Sequence, residues 1–449
     1  MDLAIYTLRA LTYAIVDPSL ASILIILAFV LFFQNRKVSM MQKMVIGETI
    51  SSPLELTLSQ VVMGIFAGIL GSIMLTYAGV MFNQNSGIEI IFIISIILML
   101  IKPKYICFSY SGAVLAFASI LTNDVYKYFT GSPMHGFNIN IDVTALMTLV
   151  GILHIIEGIL VVIDGRRGAI PVFTNSDGKI AGGFAYKRYW PIPILIIFLI
   201  SSSATSASDV VEAVKTPNWW PIISNNYSAS FLKSAVMAAL PLYAILGYNT
   251  VTFTKTKVQK TLISGISILI YGILLTLVAQ LAHINFATKV FVIIFAPLAH
   301  ELMLKIQSKF EKSSKYKFVS DGDGIMVLDV TPKSSAHFMG IKSGDTLLEI
   351  NDVQIEKETD VIEGIKCSYN GIMKIKLKRS YGREEILNND KYDSTRKLGV
   401  VFVPKSVPKK SMVIGYEDMK FSDFLSNIVN KKNKEDDDKD ENNDEDKKQ

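Results

Sequence analysis

About nine apolar runs fill the first 305 residues, several of them long enough to cross the roughly 30 Å hydrocarbon core of a bilayer, which takes about 20 helical residues. No soluble domain needs so many, and they constrain the fold more than any other feature. They are Leu20–Phe33, Val61–Phe82, Ile88–Ile101, Cys107–Leu121, Val143–Ile163, a run from Trp190-Pro191 to about Ala204, Phe231–Tyr248, Leu262–His283 and Val290–Leu304. Met1–Val16 is also apolar but carries Asp2 and Arg9, and reads as an interfacial helix or an extension of the first span. Half of all residues are hydrophobic and 19% charged, with the charge concentrated after residue 300. Two regimes follow: a multi-spanning membrane domain over 1–305 and a polar C-terminal part.

Basic residues fall in alternate loops: Arg36/Lys37/Lys43, Lys102/Lys104, Arg166/Arg167, Lys255/Lys257/Lys260 and Lys305/Lys309/Lys312. Positively charged loops stay in the cytoplasm, so nine spans would leave the N-terminus outside and the C-terminal part inside. The net charge of +5 gives no electrostatic case for nucleic acid. Cys107 and Cys367 fall in different regimes, so neither a disulfide nor a zinc-type cysteine pair is expected, and no cofactor is.

The C-terminal part opens with a basic juxtamembrane linker, 306–318, which could lie on an anionic leaflet or stand as a short charged helix in solvent. Residues 319–404 then carry a dense order of local signals. Ile325–Val330 reads as a strand ended by Thr331-Pro332, and Ser334–Met339 as one helical turn closed by Gly340. Gly344-Asp345 is a turn, Thr346–Ile350 a second strand, and Asn351-Asp352 another turn. Val361, Ile362 and Ile365 give Glu358–Lys366 a helical spacing, Asn370-Gly371 turns the chain, and Ile372–Arg379 alternates as a strand does. This order resembles a PDZ domain in its permuted bacterial form, a small α+β module. Such modules take an extended peptide as an added strand beside a helix. The resemblance implies that Leu398, Gly399 and Val400 form the carboxylate loop and that Val400, Val401 and Phe402 pair with the ligand, with Glu358 and Ile362 on the flanking helix. Residues 405–429 form a linker with a short amphipathic segment at Tyr416–Val429. Residues 430–449 are too charged to bury a core and read as a disordered tail.

Spans joined to a PDZ domain also occur in site-two-type intramembrane metalloproteases, which bind zinc through an HExxH helix. His300-Glu301 begins such a motif, but Leu304 stands where the second histidine belongs. His154 and Glu157 share one face of the fifth span and could join them around a metal. Pairing of these four residues between helices is the plainer expectation, and no catalytic residue is assigned. A divergent metalloprotease and a PDZ-regulated transporter remain the alternatives. The loop Asp164–Pro193, DGRRGAIPVFTNSDGKIAGGFAYKRYWPIP, has a basic start, a glycine-rich middle and an aromatic-proline exit. With the spans around it and the C-terminal PDZ-like region, it resembles the MinJ-type cell-division topology proteins of Gram-positive bacteria. That resemblance implies a membrane adaptor at septa and poles, bridging a curvature-marking coiled-coil protein to the Min division inhibitor; a homo-oligomer is a separate expectation.

Overall fold

The computed structural model describes residues 2–46, 50–83, 86–131, 139–176, 179–201, 215–223, 235–366, 372–389 and 398–405. Cys367, Asn370-Gly371, the segment Tyr416–Val429 and the tail lie outside them. Among the described residues, five helices are long and apolar enough to cross a membrane: α2 (Pro18–Ile46), α3 (Pro53–Ala78), α7 (Val143–Asp164), α8 (Lys257–Ala279) and α9 (Phe286–Ser313). α1 (Leu3–Val16) precedes them, and Asp17 separates it from α2 by accepting from the Ser19 and Leu20 N–H groups.

The other four expected spans are built differently. α4 (Ile90–Ile101) has 12 residues, about 18 Å of helix, short of the hydrocarbon thickness, whereas α5 (Phe108–Ser119) continues unbroken into a π-helical turn, Ile120–Val125. The turn between them meets the middle of α7, and α5 runs on to a short terminal helix, α6 (Tyr126–Thr130). The sixth and seventh runs are not helices at all. β2 (Ile170–Ser176) turns into β3 (Lys179–Ser201), which pairs antiparallel with β4 (Ala235–Thr252) along the whole of β4. The sequence explains this. Pro191 and Pro193 interrupt any helix through β3, and Pro241 falls inside β4, where a helix would lose a backbone bond and clash.

A strand inside a bilayer must have its backbone polar groups satisfied within the protein. β3 uses β4 on one edge; on the other it uses β2 at its start and β1 (Met81–Asn83) at its end, paired parallel with Ile197–Leu199. Between them the edge meets α3. The Leu195 N–H donates to Ser72 Oγ at 3.0 Å. Pro191 and Pro193, of the same parity, present their nitrogens on this edge and have no N–H to satisfy. Their carbonyls lie against Gly64 and Gly68, where a Cβ would stand 2.0 and 2.2 Å from the oxygens. Gly64, Gly68 and Ser72 step four residues, about 6 Å of helix, while Pro191, Pro193 and Leu195 step two, about 6.6 Å of strand. Helix and strand therefore stay in register. On the far side of β4, Pro241 sits opposite Leu195, so its nitrogen faces away from β3 and the ladder loses nothing. The Met237 carbonyl, of the same parity, accepts from Tyr6 of α1 at 3.1 Å.

The base of the hairpin is fixed by a buried ion pair. Arg188 and Asp164, both about 2% exposed or less, are in contact. Asp164 also accepts from Trp190 Nε1 at 2.8 Å and Ser59 Oγ at 3.1 Å. α7 and α8 pack through facing glycines: a Cβ on Gly151 would meet the Gly272 carbonyl, and one on Gly158 the Gly265 carbonyl.

α9 runs on through Ser313, so much of the expected linker continues the last long helix. The chain then enters β5 (Phe318–Val319), which pairs with β3 at Ala181 and Gly182. An α+β domain follows: β6 (Ile325–Val330), α10 (Ser335–Phe338), β7 (Thr346–Ile350), β8 (Val353–Gln354), α11 (Glu358–Lys366), β9 (Met373–Lys378), β10 (Glu384–Asn389) and β11 (Val400–Val403). The sheet order is β10-β9-β7-β6-β11, with β8 on β7. The turns fall where the sequence places them, with positive φ at Gly340, Gly344, Asn351 and Asp352. The domain is docked rather than tethered. Phe318 packs edge-on against Phe184, and Lys257 at the start of α8 pairs with buried Asp329 of β6 at 2.7 Å.

Candidate metal centre and candidate peptide groove

Three elements of the membrane domain bring side chains to one point. α7 supplies His154, ten residues before its end and so about 15 Å along the helix from the basic loop. α9 supplies His300, one turn beyond Pro297, and the α4–α5 turn supplies Cys107, which immediately precedes α5. Cys107 Sγ lies 3.0 Å from His154 Nε2 and 3.6 Å from His300 Nε2. The three ligand atoms fall within 4.8 Å of one another, and both imidazoles are buried.

The outer nitrogens are engaged, which orients the inner ones. His154 Nδ1 lies 2.7 Å from the Val150 carbonyl, which can only accept, so Nδ1 carries a proton and Nε2 is the nitrogen turned to the sulfur. His300 Nδ1 lies 3.3 Å from the Tyr110 hydroxyl. That hydroxyl donates to Glu301 at 2.9 Å, leaving its oxygen to accept from His300. Glu301 is held in turn by Lys104 at 3.0 Å. Ser109 Oγ is 3.3 Å from His154 Nε2 and bonds Tyr271, whose hydroxyl donates to the Ala296 carbonyl.

Of the four ionisable residues singled out in the sequence, His154 and His300 therefore converge. Glu301 faces Lys104 and Tyr110 instead. Glu157 sits one turn after His154 on the same side of α7, within electrostatic reach of both histidines and of Cys107. Cys107 is the residue sequence reasoning missed. The only hint was a thiol two residues after a Lys-Pro-Lys-Tyr turn between two apolar runs.

The candidate groove residues lie on the other domain. Among the described residues β11 ends its sheet and pairs with β6 alone. Gly399 has φ +77°, and a Cβ there would stand 2.3 Å from Ser334, so the loop before β11 requires glycine. The Leu398 and Gly399 carbonyls accept from Ala336 and Thr331 N–H groups, which fixes that loop on α10. Leu398, Val361 of α11 and half-buried Val400, Phe402 and Ile365 share one apolar cluster. Val401 and Val403 point the opposite way, into the core of the membrane domain. Glu358 and Ile362, four residues apart, form an exposed face of α11, with Ile362 57% exposed.

Comparison of the chain with protein-family profiles, with curated proteins and with solved structures returns no match.

Proposed function

We propose that the chain is a membrane-embedded adaptor that holds an extended segment of a partner protein along β11, in the manner of a permuted PDZ domain. The observation that carries this reading is the position of β11, the terminal strand of its sheet, hydrogen-bonded on one side and entered through a glycine turn. An edge strand offers a row of backbone donors and acceptors, and a peptide added there forms a ladder whose side chains reach the Val400, Phe402 and Ile362 side of the domain. Because Val401 and Val403 rest on the membrane domain and β11 also touches α2, the bound segment lies close to the bilayer. The preferred partner is then a membrane protein or a membrane-associated one. The basic loops at the same end as the groove support a cytoplasmic placement. Division-site proteins are the partners implied by the MinJ-type resemblance.

The test is site-specific photo-crosslinking in cells, with the reactive side chain at Phe402, at Ile362, or at Ile386 on β10 at the opposite end of the sheet. A shared adduct at the first two positions and none at Ile386 supports strand addition, and Val400→Asp should abolish it while the chain still inserts. An adduct pattern that ignores Val400→Asp would sink the groove assignment. A fluorescent fusion that stays evenly spread in dividing cells would remove the division role alone.

A further inference from the structure

We propose that Cys107, His154 and His300 form a binding site for a thiophilic d10 cation, zinc or cuprous copper, inside the membrane domain. The donor set is one thiolate and two imidazoles, the chemistry such ions select. The spacing fits as well. With bonds of about 2.3 Å to sulfur and about 2.0–2.1 Å to nitrogen, tetrahedral angles put S and N about 3.5 Å apart. The observed 3.0 and 3.6 Å bracket that value.

The surroundings are those of a ligand set rather than of a chance contact. Both Nε2 atoms are turned to one sulfur, because Val150 and Tyr110 occupy the two Nδ1 positions. Ligating histidines are characteristically fixed this way, by a carbonyl or a carboxylate-linked group on the other nitrogen. Between two neutral imidazoles a thiol, with its single proton, serves only one of the two nitrogens. A cation satisfies both: the thiol proton is released, and one bond forms to sulfur and one to each nitrogen. Three protein ligands leave a fourth position for water. Bound metal would cross-link the α4–α5 turn to α7 and α9, fixing an element too short to span on its own. None of this depends on the peptide groove.

The experiment uses the full chain purified in detergent, stripped with chelator and reloaded with Zn²⁺, Cu⁺ or, as a spectroscopic probe, Co²⁺. One equivalent of Co²⁺ per chain is expected, with visible bands of a tetrahedral ion and a thiolate-to-cobalt charge-transfer band. Zn²⁺ or Cu⁺ should displace it, and the tighter competitor identifies the native ion. Cys107→Ser should remove the charge-transfer band, and His154→Ala and His300→Ala the stoichiometric binding. Cys367→Ser should change nothing. Tyr110→Phe keeps every ligand and should weaken binding about 10–100-fold. Failure of the wild-type chain to retain a stoichiometric ion would overturn the proposal, as would binding unchanged in Cys107→Ser and His300→Ala.

Discussion

Replacing Gly68 by alanine sets two ordinary effects against each other. Within a helix, Gly→Ala removes a conformational-entropy penalty and should stabilise by about 0.5–1 kcal/mol. At position 68, however, the new methyl would lie 2.2 Å from the Pro193 carbonyl oxygen and 2.8 Å from its ring Cδ. Carbon and oxygen approach comfortably only to about 3.3 Å, so α3 and β3 would have to separate by roughly 1 Å. Overpacking of this kind costs about 1–3 kcal/mol. Separation also pulls Ser72 away from the Leu195 N–H one helical turn along, and an unsatisfied buried donor costs about 1–3 kcal/mol more. The net expectation is a loss of about 1–5 kcal/mol. Gly71→Ala is the internal control, because its methyl would meet only Ile156 at 3.4 Å, an ordinary contact. It keeps the propensity gain and should be neutral or mildly stabilising. Thermal unfolding in one detergent, followed by circular dichroism, should rank Gly71→Ala at or above wild type and Gly68→Ala well below. Equal melting temperatures for the two variants would refute the idea that helix and strand are in van der Waals register.

Two further outcomes follow from charges. Asp164→Ala strands the Arg188 guanidinium in a site about 1% exposed and frees Trp190 Nε1, and should cost about 3–5 kcal/mol in the same melting assay. Replacing both members, Asp164→Leu with Arg188→Met, should recover much of the loss. In the C-terminal domain, the Glu356 and then the Lys357 backbone N–H hold the Asp360 carboxylate below its usual range, each at 2.9 Å. A depressed folded value means that this contribution is present above the unfolded pKa of about 3.9 and fades as pH falls through the lower folded value. Asp360→Asn should therefore increase amide exchange at the start of α11 near neutral pH and remove the pH dependence of that exchange below about pH 4; an unaltered acid profile would assign it to other carboxylates.

The C-terminal domain was legible in the sequence because its signals are local. Gly340, Gly344 and Asn351-Asp352 mark turns by their own backbone preferences, and Met373, Ile375 and Leu377 alternate inward as a strand requires. The membrane domain was legible in composition but not in element type. An apolar run near 20 residues fits a buried strand as well as a spanning helix when a partner covers its edges, and only Pro191, Pro193 and Pro241 spoke for the strand. The shortness of α4 was visible, but the turn into α5 inside the domain is decided by packing against α7. In the candidate metal centre, His154 and His300 were recognisable as costly residues within spans. Cys107 was not, because its role comes from three segments about 50 and 150 residues apart meeting in space. The Asp164–Pro193 loop, singled out for its resemblance, proves to hold the ion pair and the first half of the hairpin.

The hairpin also sets an order of biogenesis. A spanning helix can leave the insertion machinery alone, since its backbone is satisfied within the segment, whereas β3 cannot. When β3 emerges, α3 is already made and can line one edge, but β4 is completed only about 50 residues later, a few seconds at typical synthesis rates. If the hairpin is seated in lipid, the row of groups destined for β4 has no partner until then, and β3 can enter only together with β4. The membrane domain is thus committed late, as a unit, after most of its chain has been synthesised.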